Sequence, residues 1–335
     1  MYGWHVERDA RCDGNEILKV TIKAMPSCLE VCAGMGGISR GVADAGFEHV
    51  LLVEKDAKCI ETLQANGFAN LLHESVERVD FRSYKGAVDL VCGGCPCVSF
   101  SVGGKNAGAC DPRNLWEDAL RCVSECEPKV FLFENSSHMT TPRHEPYLDG
   151  LICRFEKLGF TVTKHLVNAM HYGVPQCRKR LLLIGTRSVN NSYDPPPRST
   201  PHPITVREAL SSLGSPNGQN GHKAHPAVAR SYRGHTPSSL DRPSHAVVSG
   251  VHGCPGGANT IQLDNGSIRY YTPRELARLQ AFPDQFVLPS VWSTAVRQIG
   301  NAAPPLLIRA FAERLLPCLV PSVPSDDGSV IPGSL

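Results

Sequence analysis

Among fourteen cysteines, Cys97 stands where a thiol can do chemistry. The run Val88 to Cys92 has the apolar character of a buried strand. It passes into Gly93-Gly94-Cys95-Pro96-Cys97-Val98-Ser99-Phe100-Ser101. A strand that ends in Gly-Gly and then Pro-Cys sets a thiol at the carboxyl edge of a sheet, where open α/β sheets bind ligands. Cys97 is a nucleophile there if a neighbour or a helix terminus stabilises its thiolate. The glycine-rich stretch after it, Val102 to Asn114, carries Lys105 and Arg113 and reads as a basic loop able to close over an anionic substrate. Cys92, Cys95 and Cys97 also contain a Cys-x-x-Cys pair, so zinc is an alternative. The second pair of ligands that a zinc site needs at a fixed spacing is missing nearby.

A second constellation lies upstream. Leu29-Glu30-Val31-Cys32-Ala33-Gly34-Met35-Gly36-Gly37 reads as a strand, a glycine-rich turn and the start of a helix. Glycine is needed where the backbone turns sharply and approaches a ligand closely. Twenty residues past Gly34, at the end of the next strand, is Glu54; a carboxylate there can accept hydrogen bonds from both hydroxyls of a ribose. Together they predict a nucleoside cofactor. The dinucleotide pattern wants a third glycine where Ser39 stands, which counts against a nicotinamide cofactor without excluding it.

The elements that must position these groups are legible in the apolar pattern. From about Ser27 to Thr186, strand-sized runs (Cys28 to Cys32, Val50 to Val53, Val88 to Cys92, Val130 to Phe133, Leu181 to Ile184) alternate with helix-period segments (Ile38 to Ala45, Leu115 to Cys126, Tyr147 to Leu158). That alternation predicts an α/β fold with a doubly wound, mostly parallel sheet. Between Arg187 and Arg269 come ten prolines, nine glycines, and eight Lys and Arg against four Asp and Glu. This reads as a second, smaller, loop-rich basic domain, with a long disordered insertion as the alternative. Thr272 to Gln280 is a helix capped by Thr272 with Pro273 in its first turn, and a last helix follows from about Pro304 to Leu316. The expected organisation is an N-terminal extension (1–26), a catalytic and cofactor domain (27–186), a recognition domain (187–270), a return to the first domain (271–316) and a tail (317–335).

Bulk composition narrows the class. Of 335 residues 41% are apolar and 20% charged, with a formal net charge of +2, as in an ordinary globular protein. No apolar run approaches the roughly 20 residues of a membrane helix, and the first 26 residues lack a secretory signal. A cytoplasmic protein with free thiols is expected.

Six blocks, in order, resemble the motifs of the DNA (cytosine-5) methyltransferase family, over about Ser27 to Leu316. They are Ala33-Gly34-Met35-Gly36-Gly37; Gly94-Cys95-Pro96-Cys97 with Phe100-Ser101; Phe133-Glu134-Asn135; Tyr172-Gly173-Val174-Pro175-Gln176-Cys177-Arg178-Lys179-Arg180; Thr272-Pro273-Arg274-Glu275 with Ala277-Arg278-Leu279-Gln280-Ala281-Phe282-Pro283; and Gln298-Ile299-Gly300-Asn301. The resemblance implies a Rossmann-like, S-adenosylmethionine-dependent enzyme of the small stand-alone prokaryotic, phage or viral type.

It also implies roles. Carbon 5 of cytosine is too electron-poor to attack a methylsulfonium, and a thiolate adding at carbon 6 makes it enamine-like. By resemblance Cys97 is that thiolate and Glu134 holds the ring at nitrogen 3 and the exocyclic amine. Arg178 and Arg180, two apart on a strand, are expected to share a face and reach the base carbonyl and the nucleophile loop, Arg180 making the base contact. The cytosine must be flipped out of the duplex. Cofactor contact falls by resemblance to Glu30, Ala33, Gly34, Met35, Gly36, Gly37, Glu54, Lys55, Ser75, Val76, Pro96, Leu115, Asn301 and Ala302; no metal is implied. DNA contact falls to Ser99, Ser101, Gly104, Lys105, Arg113, Gln176, Arg230 and Arg233. Double-stranded DNA is the expected partner of a monomer, with a cognate restriction endonuclease in the same system.

The chain departs from the family at Cys32, where a Phe is common, at Lys55, Ser75 and Val98, and at Ser136 after Glu-Asn. A catalytically dead DNA-binding homologue is one alternative. A tRNA cytosine methyltransferase is another, although its Cys-Phe-Thr signature is missing from the recognition region.

Overall fold

Strands β3 (Ser27–Val31) and β6 (Leu90–Gly93) lie side by side at the centre of a seven-stranded sheet. The computed structural model describes residues 3–9, 17–23, 25–96, 114–187, 193–225, 229, 236–250 and 259–320. An antiparallel hairpin, β1 (Gly3–Asp9) and β2 (Ile17–Lys23), precedes the sheet. The sheet then takes β4 (Glu48–Glu54), β5 (Leu71–His73), β7 (Val130–Ser136), β8 (Thr161–Asn168) and, after the two-residue β9 (Gln176–Cys177), β10 (Lys179–Thr186). Its order is β5-β4-β3-β6-β7-β10-β8. The first five are parallel, and β10 runs antiparallel between β7 and β8. This is the doubly wound, mostly parallel sheet expected from the alternating pattern.

Helices cover both faces because successive side chains of a doubly covered strand must both be apolar. On one face Leu29, Val91, Phe131, Phe133 and Leu183 pack against α3 (Trp116–Cys126) and α4 (Glu145–Lys157). On the other, Cys28, Leu90, Cys92, Leu132 and Leu182 pack against α1 (Gly37–Asp44) and the last helix. Helix α2 (Ala57–Ala65) starts at Asp56, whose carboxylate accepts the Lys58 N–H at 2.9 Å. The polar face of α2, the three-residue β5 and the half-exposed β8 hid these elements from an apolar-run reading.

After Thr186 come α5 (Val206–Leu210) and the short strands β11 (Ser238–Ser239), β12 (Ser244–His245), β13 (Thr260–Gln262) and β14 (Ile268–Tyr270). The chain ends in α6 (Pro273–Leu279), α7 (Trp292–Asn301) and α8 (Pro305–Glu313). Thr272 caps α6 as expected, in a reciprocal box with Glu275. A division of the chain at 270 does not coincide with a division between cores. Val206, Val247 and Ile261 share one core with Leu276, Leu279, Ala295 and Ile299, and with Met35 of the glycine-rich turn. A loop-rich segment has too few apolar residues for a core of its own, so α6 and α7 complete it. Helix α8 and the turn after it, through Cys318, return to the sheet.

Candidate active site and cofactor cleft

The glycine-rich turn between β3 and α1 is built from left-handed backbone: φ is 56° at Cys32, 58° at Gly34 and 97° at Gly36. Only glycine takes such angles freely, so Cys32 is held there by its surroundings. Gly34 N–H donates to Glu54 Oε2 at 2.8 Å, and Asp56 N–H donates to Oε1 at 2.7 Å. The buried Glu54 carboxylate is thus aimed by two backbone amides from two different turns. Each oxygen keeps a further lone pair for a ligand hydroxyl. Among the described residues nothing lies within 4 Å of where a Cβ on Gly34 would stand, so there is room for a ligand at that point.

A pocket at this edge is lined by Cys32, Val53, Glu54, Lys55, Glu74, Val76, Pro96 and Leu115. Five expected cofactor residues (Glu54, Lys55, Val76, Pro96, Leu115) therefore meet in one place. Glu74, Cys32 and Val53 join them. Ser75 does not line the pocket: its N–H donates to Glu74 Oε1 and its hydroxyl to Glu77 Oε2. The only sequence signal for Glu74 was a carboxylate just past an apolar run. Gly36 and Gly37 serve packing. A Cβ on Gly36 would stand 2.9 Å from Leu63, and one on Gly37 would stand 2.3 Å from the Ala303 carbonyl and 3.1 Å from Ala302. That contact brings Ala302 against the turn, with exposed Asn301 at the end of α7. Ala33 packs on Leu52 and Leu63.

Glu30 is elsewhere. Its carboxylate is fully buried on the α1 face, where Oε2 lies 3.1 Å from His49 Nε2. Side chains alternate along a strand, so a residue one position from the cleft face points into the core.

The nucleophile loop is described up to Pro96; Cys97, Ser99, Ser101, Gly104, Lys105, Arg113, Arg230 and Arg233 lie outside the described residues. What holds the loop's first turn is plain. Asn135 Nδ2 donates to the Cys95 carbonyl at 3.1 Å, and Asn135 Oδ1 accepts from Ser136 N–H at 2.8 Å. The Cys95 thiol is buried and turned toward the Leu115 carbonyl at 3.8 Å. Cys92 is on the opposite face, 3.6 Å from the Cys28 sulfur. Cys92 and Cys95 therefore do not converge as a ligand pair, which removes the Cys-x-x-Cys reading of zinc. Burial pushes the Cys92 thiol well above the usual range, and the neighbouring Cys95 together with burial does the same to Cys32. The ten described cysteines are free.

Strand β7 runs three residues past the expected Phe133 because β10 pairs with it through Ser136. Glu134 is therefore a strand residue, and Arg180, opposite Ser136, shares its face. Arg180 Nε lies 2.7 Å from Glu134 Oε1 with both side chains mostly buried, an ion pair whose alignment falls short of a hydrogen bond. The site of a Cβ on Gly94 is 3.9 Å from Glu134 Oε2. A side chain at Gly94 would stand between Ile38, 3.3 Å away, and that carboxylate.

Arg178 corrects the expectation that it shares this face. It sits between β9 and β10, is 2% exposed, and donates to the Val247 carbonyl at 2.8 Å, Gly300 at 2.7 Å and Ala302 at 3.2 Å. Gln176, expected at the DNA, is fully buried against Leu279, Gln280 and Val247. Glutamine and arginine in a motif signal polar work, and the sequence could not say that their partners are backbone groups and the Gln280 side chain.

A mostly parallel, doubly wound sheet carries at one edge a glycine-rich turn with a carboxylate able to take ribose hydroxyls, and near Gly94 a mostly buried Glu134–Arg180 pair, an arrangement suited to an enzyme that uses a nucleoside cofactor. The C-5 cytosine-specific DNA methylase family matches residues 27–241 and 219–316. The chain is 32% identical to Type II methyltransferase M.NgoMIV of Neisseria gonorrhoeae, covering 87% of this chain and 97% of that one. A putative DNA modification methyltransferase from an Escherichia coli prophage shares the fold, with TM-score 0.67, 22% identity and coverage of 88% and 99%. So does the methyltransferase EhMeth of Entamoeba histolytica, with TM-score 0.72, 12% identity and coverage of 89% and 100%. The chain belongs to the C-5 cytosine-specific DNA methylase family, and it is a DNA (cytosine-5) methyltransferase.

Proposed function

We propose that this enzyme methylates a cytosine flipped from a specific duplex sequence through a covalent adduct on Cys97. The observation that supports this reading best is the Glu134–Arg180 pair at 2.7 Å, set beside Gly94 at the mouth of the nucleophile loop. The Cys97 thiolate adds to carbon 6 while Glu134 delivers a proton to ring nitrogen 3, which neutralises the charge that addition would leave on the ring. Arg180 donates to the base carbonyl and orients the Glu134 carboxyl. Asn135 fixes the loop through the Cys95 carbonyl. Once carbon 5 carries the methyl group, solvent water takes the carbon 5 proton, the ring double bond re-forms as the Cys97 thiolate is expelled, and ring nitrogen 3 returns its proton to Glu134.

S-Adenosylmethionine supplies the methyl group. The residues fit it: Glu54 would take the ribose hydroxyls, and Cys32, Val76 and Leu115 would flank the adenine. Lys55, Pro96, Asn301 and Ala302 would complete the site, as would the backbone of Ala33, Gly34, Gly36 and Gly37. The residues around Arg230 and Arg233 would meet the DNA, as the basic balance of that region supports. The reading includes monomeric action on double-stranded DNA in the cytoplasm. The Type II names of relatives support a restriction endonuclease of the same specificity.

Bisulfite sequencing of DNA from cells expressing the chain tests the reading: 5-methylcytosine is expected in one recurring sequence. DNA left unmethylated by a protein that binds it, or transfer of label from S-adenosylmethionine to tRNA but not to DNA, overturns it.

A further inference from the structure

The network around Arg178 joins the backbone at 247–249, within the basic 187–270 segment proposed to meet DNA, to the end of α7 beside the cofactor turn. On the recognition side, Val247 is gripped at both ends of its peptide groups: its N–H donates to Gln176 Oε1 at 2.8 Å and its carbonyl accepts from Arg178 Nη1 at 2.8 Å. The next residue, Val248, is held in turn by Asn259 through both its N–H and its carbonyl. On the cofactor side, Arg178 Nη2 binds the carbonyls of Gly300 and Ala302. Gln280 Nε2 donates to the carbonyls of Ile299 and Ala302, and its Oε1 accepts from Gln176 Nε2 at 2.6 Å.

Steric contacts extend the connection at each end. A Cβ on Gly300 would stand 2.3 Å from the Ser249 backbone nitrogen, so the end of α7 lies directly on the recognition backbone. Two residues on, Ala302 and Ala303 lie against Gly37 of the cofactor turn. Buried hydrogen bonds and close packing transmit small shifts because they do not deform continuously. One guanidinium thus holds the recognition backbone with one nitrogen and the cofactor-side backbone with the other.

We propose that Arg178 is a positioning residue that couples duplex binding by the 187–270 segment, through the backbone it holds at 247–249, to cofactor affinity at the Gly37–Ala302 contact. The proposal rests on the functional reading above. Such coupling is reciprocal: whatever factor the duplex adds to cofactor affinity, the cofactor adds to duplex affinity. Lysine at 178 keeps the charge but cannot span Val247 and Gly300 together, because its single ammonium lacks the fork.

The test is calorimetric titration of the full chain with S-adenosylhomocysteine, with and without the duplex identified by bisulfite sequencing, and of that duplex with and without S-adenosylhomocysteine. In the unaltered chain each ligand should tighten the other by the same factor, about 5- to 150-fold. In Arg178→Lys the factor should fall toward 1, while the affinity for S-adenosylhomocysteine alone changes by less than about 3-fold. Gly300→Ala, which displaces Ser249, provides an independent variant in which the factor should also fall; melting temperatures verify that both fold. A factor of 1 in the unaltered chain overturns the proposal. So does Arg178→Lys that weakens both single affinities but keeps the factor, the behaviour of a merely structural residue. Failure of the unaltered chain to bind either ligand refutes the functional reading instead.

Discussion

Arg180 and Glu134 are paired before any base arrives: the guanidinium Nε stands 2.7 Å from the carboxylate Oε1 on adjacent antiparallel strands. Two residues from motifs forty-six positions apart in the sequence form one unit, and under the proposed function an incoming cytosine shares or displaces that contact. The pair also keeps a mostly buried carboxylate from standing alone in an apolar sheet edge, where an isolated charge is costly.

Glu134→Gln leaves a neutral group of the same shape that cannot deliver the proton. Methyl transfer should fall about 100-fold or more, with duplex affinity within a few-fold of the unaltered chain. Single-turnover transfer and gel-shift assays separate the two. A variant that retains full transfer would mean that Glu134 has no part in the proton step.

Cys97→Ser should abolish transfer and leave duplex binding largely intact, whereas Cys95→Ser should keep most activity. The Cys95 thiol is buried and turned to the Leu115 carbonyl. Trapping with a duplex containing 5-fluorocytosine gives the readout: the Cys95 variant should form the covalent complex and the Cys97 variant should not. The reverse result places the nucleophile wrongly.

Asn135→Ala removes the amide that holds the Cys95 carbonyl at 3.1 Å. A nucleophile left loose by about 1 Å loses on the order of 100-fold in rate, so kcat should drop while KM for the cofactor stays nearly constant. An equal loss in both parameters would count against a role confined to the loop.

Gly37→Ala places a methyl group 2.3 Å from the Ala303 carbonyl. Overpacking of that kind costs about 1–3 kcal/mol. Calorimetry should show a lower Tm, and titration should show weaker S-adenosylhomocysteine binding. Unchanged binding in a destabilised variant would separate this contact from the cofactor site.

Burial lowers the His49 pKa, but Cys28 and then Glu30 beside it outweigh that and raise it from 6.5 to about 10. A raised folded pKa contributes stability that is fully present below 6.5 and is lost as the pH rises through about 10. The stability difference between the unaltered chain and His49→Gln should therefore shrink steadily from pH 6.5 to pH 10 in urea titrations. A difference that stays constant over that window would show that no proton is held there.

The sequence by itself determined the parallel sheet, the glycine-rich turn with Glu54, the capped helix at Thr272 and a set of candidate residues. Each is a local signal: an apolar run, a glycine that must turn, a capping side chain or an ordered motif. Tertiary structure alone decided which way those side chains face. Glu30, one residue from the cleft face of its strand, went to His49 in the core. Arg178 and Arg180 carry the same guanidinium two positions apart, yet one serves backbone carbonyls across two segments and the other a carboxylate on β7. A pattern of residue types states what a side chain can bond to; the partner is set by strand register and by which distant segments the core brings alongside.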